Sequence, residues 1–304
     1  MQSDMKTQSV EMAQAAYLDR CAPGYRTRRV HWSGGTTQVI ELGEGTPLLL
    51  VHGGMGEAFQ WGSILSALAK SHRVLAVDRP GHGLADAFDY RGVDILAHAC
   101  RFLGDILDTE GLPAVPIVAS SMGSLWSVAF ALSHPERVPR LVLVGAPAGI
   151  QRSQPLLMRL GTLPILKTIV RSQMQKPTRE STRAFWAQLM VAHPERLDDD
   201  FLDVSTASQA RNVTNWFTLI DSTVDVRGMK QKLVLGDRWK QLSVPTTLIW
   251  GEKDVWCQPE VGEAVAASNP QLRVVRIPDA GHAPWFDRPD RVVNAILEAL
   301  AALR

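Results

Sequence analysis

The stretch "IVASSMGSLW", residues 117–126, sets two adjacent serines between an apolar run and a glycine. The run before them has the length and β-branched character of a strand, and the residues after them follow a helical pattern. A nucleophile in so sharp a strand-to-helix turn needs small residues two places before and two places after it. With Ser121 at the turn those flanks are Ala119 and Gly123; with Ser120 they are Val118 and Met122, both too bulky. The spacing selects Ser121 and leaves Ser120 a packing or capping neighbour.

Outward from this turn the chain repeats one theme. "PLLLVHGG", "HRVLAVDRPGHG", "RLVLVGAPAG", "TTLIWGEKD" and "LRVVRIPDAGH" are continuous apolar runs of strand length that end in glycine and polar residues. Strands apolar on both faces belong in a parallel sheet covered by helices. Helical patterns such as 58–71, 95–111 and 124–138 separate them, and "RRVHW-SGG-TQVIELG" reads as an opening hairpin. The fold class expected is α/β: a mostly parallel central sheet of about eight strands flanked by helices. Between about Ala148 and Ser243 the rhythm breaks into helix-like segments without a convincing buried strand. A stretch that long is read as a helical cap inserted between strands six and seven, because structureless loops of that length are uncommon. The expected organisation is an N-terminal arm or helix (1–24), a core (25–147 and 243–304) and a cap (148–242). Val10, Ala13, Tyr17 and Leu18 give the arm a weak helical period.

Ligands of open α/β sheets bind beyond the carboxyl ends of the strands, so polar residues there carry the functional reading. A serine hydroxyl needs a base to take its proton, and the base needs a carboxylate to hold its tautomer. His282 follows the last predicted strand in a glycine-containing loop, and Asp254 stands three residues beyond the strand-ending Gly251. The strand before Asp254's own ends in "GAPAG" and offers no acid. Ser121, Asp254 and His282 therefore form the candidate triad of nucleophile, acid and base. A developing oxyanion needs fixed donors. Backbone N–H groups of Gly54, in "HGGMG", and of Met122 are the candidates.

Taken in order, "VHGGMG", "DRPGHG", "ASSMGS", "WGEKD" and "GHAPWFDRPDRV" resemble the α/β-hydrolase fold family over about residues 25–150 and 240–304. The resemblance implies the same triad and the same two oxyanion amides, and makes His52 a structural member of its loop. Ala119 stands where the family usually has glycine, and Leu84 where a serine is frequent. Dehalogenase and epoxide hydrolase branches use an aspartate nucleophile, and epoxide hydrolases also use cap tyrosines. Here the nucleophile position holds serine, and Tyr17, Tyr25 and Tyr90 all precede the cap. The expectation is a serine hydrolase of the carboxylesterase type that cleaves an ester with an apolar acyl or aromatic part. Alternatives are a C–C bond hydrolase of the meta-cleavage-product type, a cofactor-free perhydrolase, or a non-catalytic small-molecule binding protein.

For the pocket, Met55 and Trp285 flank the catalytic loops, and Trp216 and Phe217 could roof the site from the cap. A basic run from Arg152 to Arg183 precedes the acidic "ERLDDDFLD". The plain reading is two mutually attracting faces; the sharper one is contact with anionic lipid. A net charge of +1 favours neither nucleic acid nor a membrane surface as partner. No apolar run reaches the length of a membrane span, and the N-terminus lacks a signal-peptide core. Three cysteines without ligand spacing fit a reducing, cytoplasmic setting as buried small side chains. No metal and no cofactor is expected, since neither a ligand cluster nor a nucleotide-binding fingerprint is present.

Overall fold

The computed structural model describes residues 2–301; Met1 and residues 302–304, the outer ends of the expected arm and core segments, lie outside the described residues. Eight strands form the central sheet: β1 (Arg26–Trp32), β2 (Gly35–Leu42), β3 (Thr46–Val51), β4 (His72–Val77), β5 (Ile117–Ser120), β6 (Leu141–Val144), β9 (Thr246–Gly251) and β10 (Leu272–Ile277). Their order is β1-β2-β4-β3-β5-β6-β9-β10. Only β2 runs antiparallel to its neighbours, β1 and β4; every other pairing is parallel. The expected sheet and its opening hairpin are both present.

The apolar runs work as a period of two within strands covered on both sides. In β3, Leu49 and Val51 join one core, while Leu48 and Leu50 join the other. The first core includes Phe102, Leu103 and Ile106 of α3 (Ile95–Thr109) and Leu125, Trp126 and Phe130 of α4 (Met122–Ser133). The second is closed by α1 (Gln2–Cys21), α2 (Gly62–Leu68) and α12 (Pro289–Ala301). Asp94 starts α3 by accepting the N–H groups of Leu96 and Ala97 at 3.1 and 3.2 Å.

Between β6 and β9 lie α5 (Leu156–Leu160), α6 (Pro164–Met174), α7 (Arg179–Leu189), α8 (Asp199–Thr223), a ribbon of β7 (Val224–Asp225) and β8 (Gly228–Met229), and α9 (Arg238–Gln241). This is the helical insertion read from the sequence. One apolar pattern over 156–174 becomes two helices, because Gly161 interrupts it and Pro164 opens the second. The two-residue strands were illegible, being too short to carry a period.

The N-terminal arm is a helix packed along α8 of the cap and α2 of the core. Val10, Tyr17 and Leu18 are buried, and Tyr17 meets Phe59 of the core and Phe201 of the cap. Lys6 donates to the Ala210 carbonyl, and Arg20 pairs with Asp198 and Asp200. The short helices α10 (Pro259–Ala266) and α11 (Pro284–Asp287) complete the carboxyl-terminal part.

Candidate active site

Ser121 sits between β5 and α4 with φ 51° and ψ −113°, a left-handed backbone at a non-glycine residue. Such a conformation costs about 1–3 kcal/mol and persists only where the surroundings impose it. Here α4 presses on the end of β3. A Cβ on Gly123 would lie 2.4 Å from the carbonyl oxygens of Val51 and His52. The Ser121 carbonyl accepts N–H groups from Ser124, Leu125 and Ala148. The turn is thus tied to its helix and to the loop after β6.

His282, after β10, is buried, and its Nδ1 lies 2.8 Å from Oδ2 of fully buried Asp254. Asp254 also accepts the backbone N–H of Ala146 on Oδ2 and that of Trp256 on Oδ1, both at 2.9 Å. With Nδ1 donating to the carboxylate, Nε2 carries the lone pair. That Nε2 is buried without a hydrogen-bond partner. The loop after β6, which carries no carboxylate, supplies an amide to Asp254 instead. Trp256 lies against the His282 ring, 5.2 Å between centroids, and its Nε1 donates to Leu189 of the cap.

Gly53, Gly54, Ser121, Met122 and His282 line one hollow of about 90 Å³ under the insertion. The loop 52–56 is fixed by buried polar groups. His52 Nε2 accepts the Arg79 backbone N–H at 2.8 Å, so its Nδ1 donates to the Gly53 carbonyl at 2.9 Å. The Arg79 guanidinium donates to the carbonyls of His52, Gly53 and Gly54. It stacks over Trp126 at 4.8 Å. His82 Nε2 reaches the Gly54 carbonyl at 2.7 Å. With the carbonyls of this loop gripped from one side, its peptide planes have little freedom to turn. Burial, and next the Arg79 charge, hold His52 well below the ordinary imidazole range and His82 at about 3. Burial likewise lowers the Arg79 guanidinium to about 10.

The rest of the wall is mainly apolar. Met55 is part of it, with Met158, Phe185, Trp186, Met190, Met229, Trp256 and Cys257. Burial pushes the Cys257 thiol up to about 12, which keeps it neutral. Against the expectation of three buried cysteines, Cys21 and Cys100 are partly exposed. Three pocket expectations need correction. Trp285 is not a wall residue: it packs on Trp61 at 4.7 Å, and its Nε1 donates to the Gln60 carbonyl. Phe217 lies beneath the Arg171 guanidinium, away from the hollow. Trp216 faces an adjoining smaller chamber and not the main hollow.

Arg79 and Asp287 are the residues that the sequence reading did not single out. The Asp287 carboxylate accepts the N–H groups of Gly281, beside His282, and of Ala192 and His193 in the insertion. The only available signal was its place in "GHAPWFDRP". The basic run of the insertion is largely spent internally. Lys167 and Arg171 pair with Asp221, Arg179 with Asp199 and Asp203, and Arg183 with Asp199. Two attracting faces are therefore the better description. Among the described residues no helix is long and apolar enough to cross a membrane.

A model of the Alpha/beta hydrolase family matches residues 48–295. The chain is 27% identical to a 2-hydroxy-6-oxononadienedioate/2-hydroxy-6-oxononatrienedioate hydrolase of Burkholderia vietnamiensis, over 95% of this chain and 96% of that one. It is 26% identical to haloalkane dehalogenase 2 of Mycobacterium tuberculosis, over 90% of this chain and 94% of that one. Among solved structures it is similar to carboxylesterase CesB of Bacillus subtilis, with TM-score 0.75 and 20% identity, covering 98% of this chain and 99% of that one.

Proposed function

The chain belongs to the alpha/beta hydrolase family, and from that premise we propose that this hydrolase cleaves neutral carboxylic esters with an apolar acyl or aromatic part. In this reading Ser121 is the nucleophile, His282 the base and Asp254 the acid, with Gly54 and Met122 N–H as oxyanion donors. Residues 148–242 serve as the cap, residues 25–147 and 243–304 as the core. The observation that carries the reading is the free Nε2 of a carboxylate-bound imidazole lining one hollow with a strained serine.

The cycle follows from these positions. His282 Nε2 takes the Ser121 hydroxyl proton as Oγ bonds to the ester carbon. Negative charge moves to the carbonyl oxygen, where the two backbone N–H groups and the amino end of α4 favour it. Collapse breaks the C–O bond, and the departing alkoxide leaves as alcohol with the proton from His282. Water, deprotonated by the same nitrogen, then attacks the acyl-enzyme. The carboxylic acid departs, and Ser121 regains its proton. Asp254 stays ionised throughout and steadies the imidazolium.

C–C cleavage is the second reading, since the Burkholderia relative is named for dioate substrates. A dianion calls for cationic partners, and the described wall of the hollow contains no lysine or arginine. That composition favours a neutral ester. The aspartate-nucleophile chemistry of a dehalogenase has no counterpart at Ser121. Turnover of neutral aryl esters over several acyl lengths, compared with a vinylogous diketone, tests the assignment. Ester cleavage is expected, lost in Ser121→Ala and lowered about 10⁴-fold in Asp254→Asn. Absence of both turnover and serine-probe labelling sinks the reading, and a strong preference for the diketone replaces it with C–C hydrolysis.

A further inference from the structure

Beside the main hollow lies a smaller chamber of about 20 Å³, with Met55, Gln60, Phe185 and Trp186 as a shared wall. That volume admits a group the size of one oxygen. Its character differs from that of its neighbour. Where the main wall is mainly apolar, this one adds Glu57 from the core and Ser205 and Trp216 from α8 to the shared Gln60.

Two of these side chains lack partners. Trp216 is 4% exposed and Ser205 6%, yet neither the Trp216 Nε1–H nor the Ser205 hydroxyl makes a hydrogen bond. A buried donor left unpaired costs about as much as a lost hydrogen bond. The indoles of Trp61, Trp126 and Trp239 also lack partners, but Trp216 and Ser205 both line this one chamber, where a bound group can reach them. The Glu57 carboxyl is buried as well. Its Oε1 accepts from the Ser208 hydroxyl at 2.8 Å, which in turn accepts from Asn212 Nδ2 at 3.1 Å. Its Oε2 meets only the Gln60 amide, at 3.4 Å. Burial, reinforced by Asp78, pushes this carboxyl well above its usual range and so favours its protonated form. The indole is a pure donor, and the protonated carboxyl and the serine hydroxyl can each donate too. Thr182 and Gln209 line it as well, so the chamber offers unpaired donors beside amide oxygens, and no positive charge.

We propose that this chamber binds one uncharged oxygen of the substrate, a hydroxyl or a carbonyl, held away from the bond that is cleaved. The inference rests on the ester-hydrolase reading and deepens it. The main hollow takes the apolar body of the ester, and the side chamber reads a single polar substituent on it. An analogue lacking that oxygen leaves the buried donors unpaired, which is the condition under which a site discriminates strongly.

The test compares matched ester series of graded length: unsubstituted, carrying a terminal hydroxyl, and carrying a keto group. One set is substituted on the acyl side and the other on the alcohol side. At one length the oxygenated ester should exceed its plain counterpart in kcat/KM by about tenfold or more. In Ser205→Ala and in Trp216→Phe that ratio should fall toward one, whatever happens to the absolute rates. The hydroxyl and keto arms distinguish the two forms of the oxygen. Turnover of plain esters with no oxygenated preference at any length, or a preference that survives both substitutions, overturns the chamber assignment while leaving the ester reading intact. If no ester is turned over, the ester reading fails, and calorimetry with α,ω-diols against mono-alcohols of equal length reads the chamber alone. Tighter diol binding that Ser205→Ala removes supports it, and equal binding overturns it.

Discussion

At the scale of single residues, the turn at Ser121 is decided by what its neighbours lack. Gly123 is required because helix α4 runs against the backbone of β3, where a Cβ would meet two carbonyl oxygens at 2.4 Å. We expect Gly123→Ala to lower stability by about 1–3 kcal/mol. Urea unfolding measures it, and an unchanged midpoint would mean that α4 shifts away freely. The size rule chose between Ser120 and Ser121 in the bare sequence because it expresses this same steric contact. Trp285 shows the limit of local sequence. Its place beside His282 in the chain suggested a pocket wall, but a side chain's direction is set by packing. Its ring turned to Trp61 and its N–H to a carbonyl of the core.

At the scale of elements, the site depends on ties between the insertion and the core. Asp287 in α11 accepts N–H groups from Gly281 and from Ala192 and His193 at once. One carboxylate thus anchors the loop of His282 and the edge of the insertion. Asp287→Ala strands buried donors, and a loss of roughly 1–3 kcal/mol in urea unfolding is expected. Labelling of Ser121 by a serine-directed probe should also slow, since His282 loses its support. Lower stability with unaltered labelling would make Asp287 a structural tie alone. Helix α1 is a second tie, packed on both α2 and α8. The sequence left it open between packed helix and loose arm. Its apolar positions are sparse, and its burial depends on partners more than 40 residues away, such as Phe59 and Phe201.

At the scale of the whole molecule, buried titratable groups set the response to acid. His82 is held at about 3 and His98 at about 4, burial being the main cause, and His52 is lowered as well. Each takes up a proton near pH 6.5 once unfolded, so the unfolded chain binds more protons below that value and stability falls with pH. Asp78, raised by burial to about 6, and Glu57 act in the opposite sense, with stability present in acid and lost as pH rises through their folded values. Three imidazoles against two carboxyls leave a net loss on acidification between about pH 6.5 and 4. His98 lies among Trp32, Phe88, Tyr90 and Trp126, where a phenyl ring would suit the surroundings. His98→Phe should flatten the pH dependence of the unfolding free energy, read from urea titrations, by up to one proton, about 1.4 kcal/mol per pH unit. An unchanged slope would show that His98 titrates freely in the folded protein. The sequence by itself determined the sheet, the insertion, the family and the order of the candidate triad. Those follow from period, run length and local sterics, which act between near neighbours in the chain. Only the tertiary structure decided the pocket wall, the grip of Arg79 on the loop at Gly54 and the polar side chamber. Each of these joins segments of core and insertion, or of separate strand ends, that no local pattern brings together, and the direction of every side chain in them is fixed by packing against distant chain.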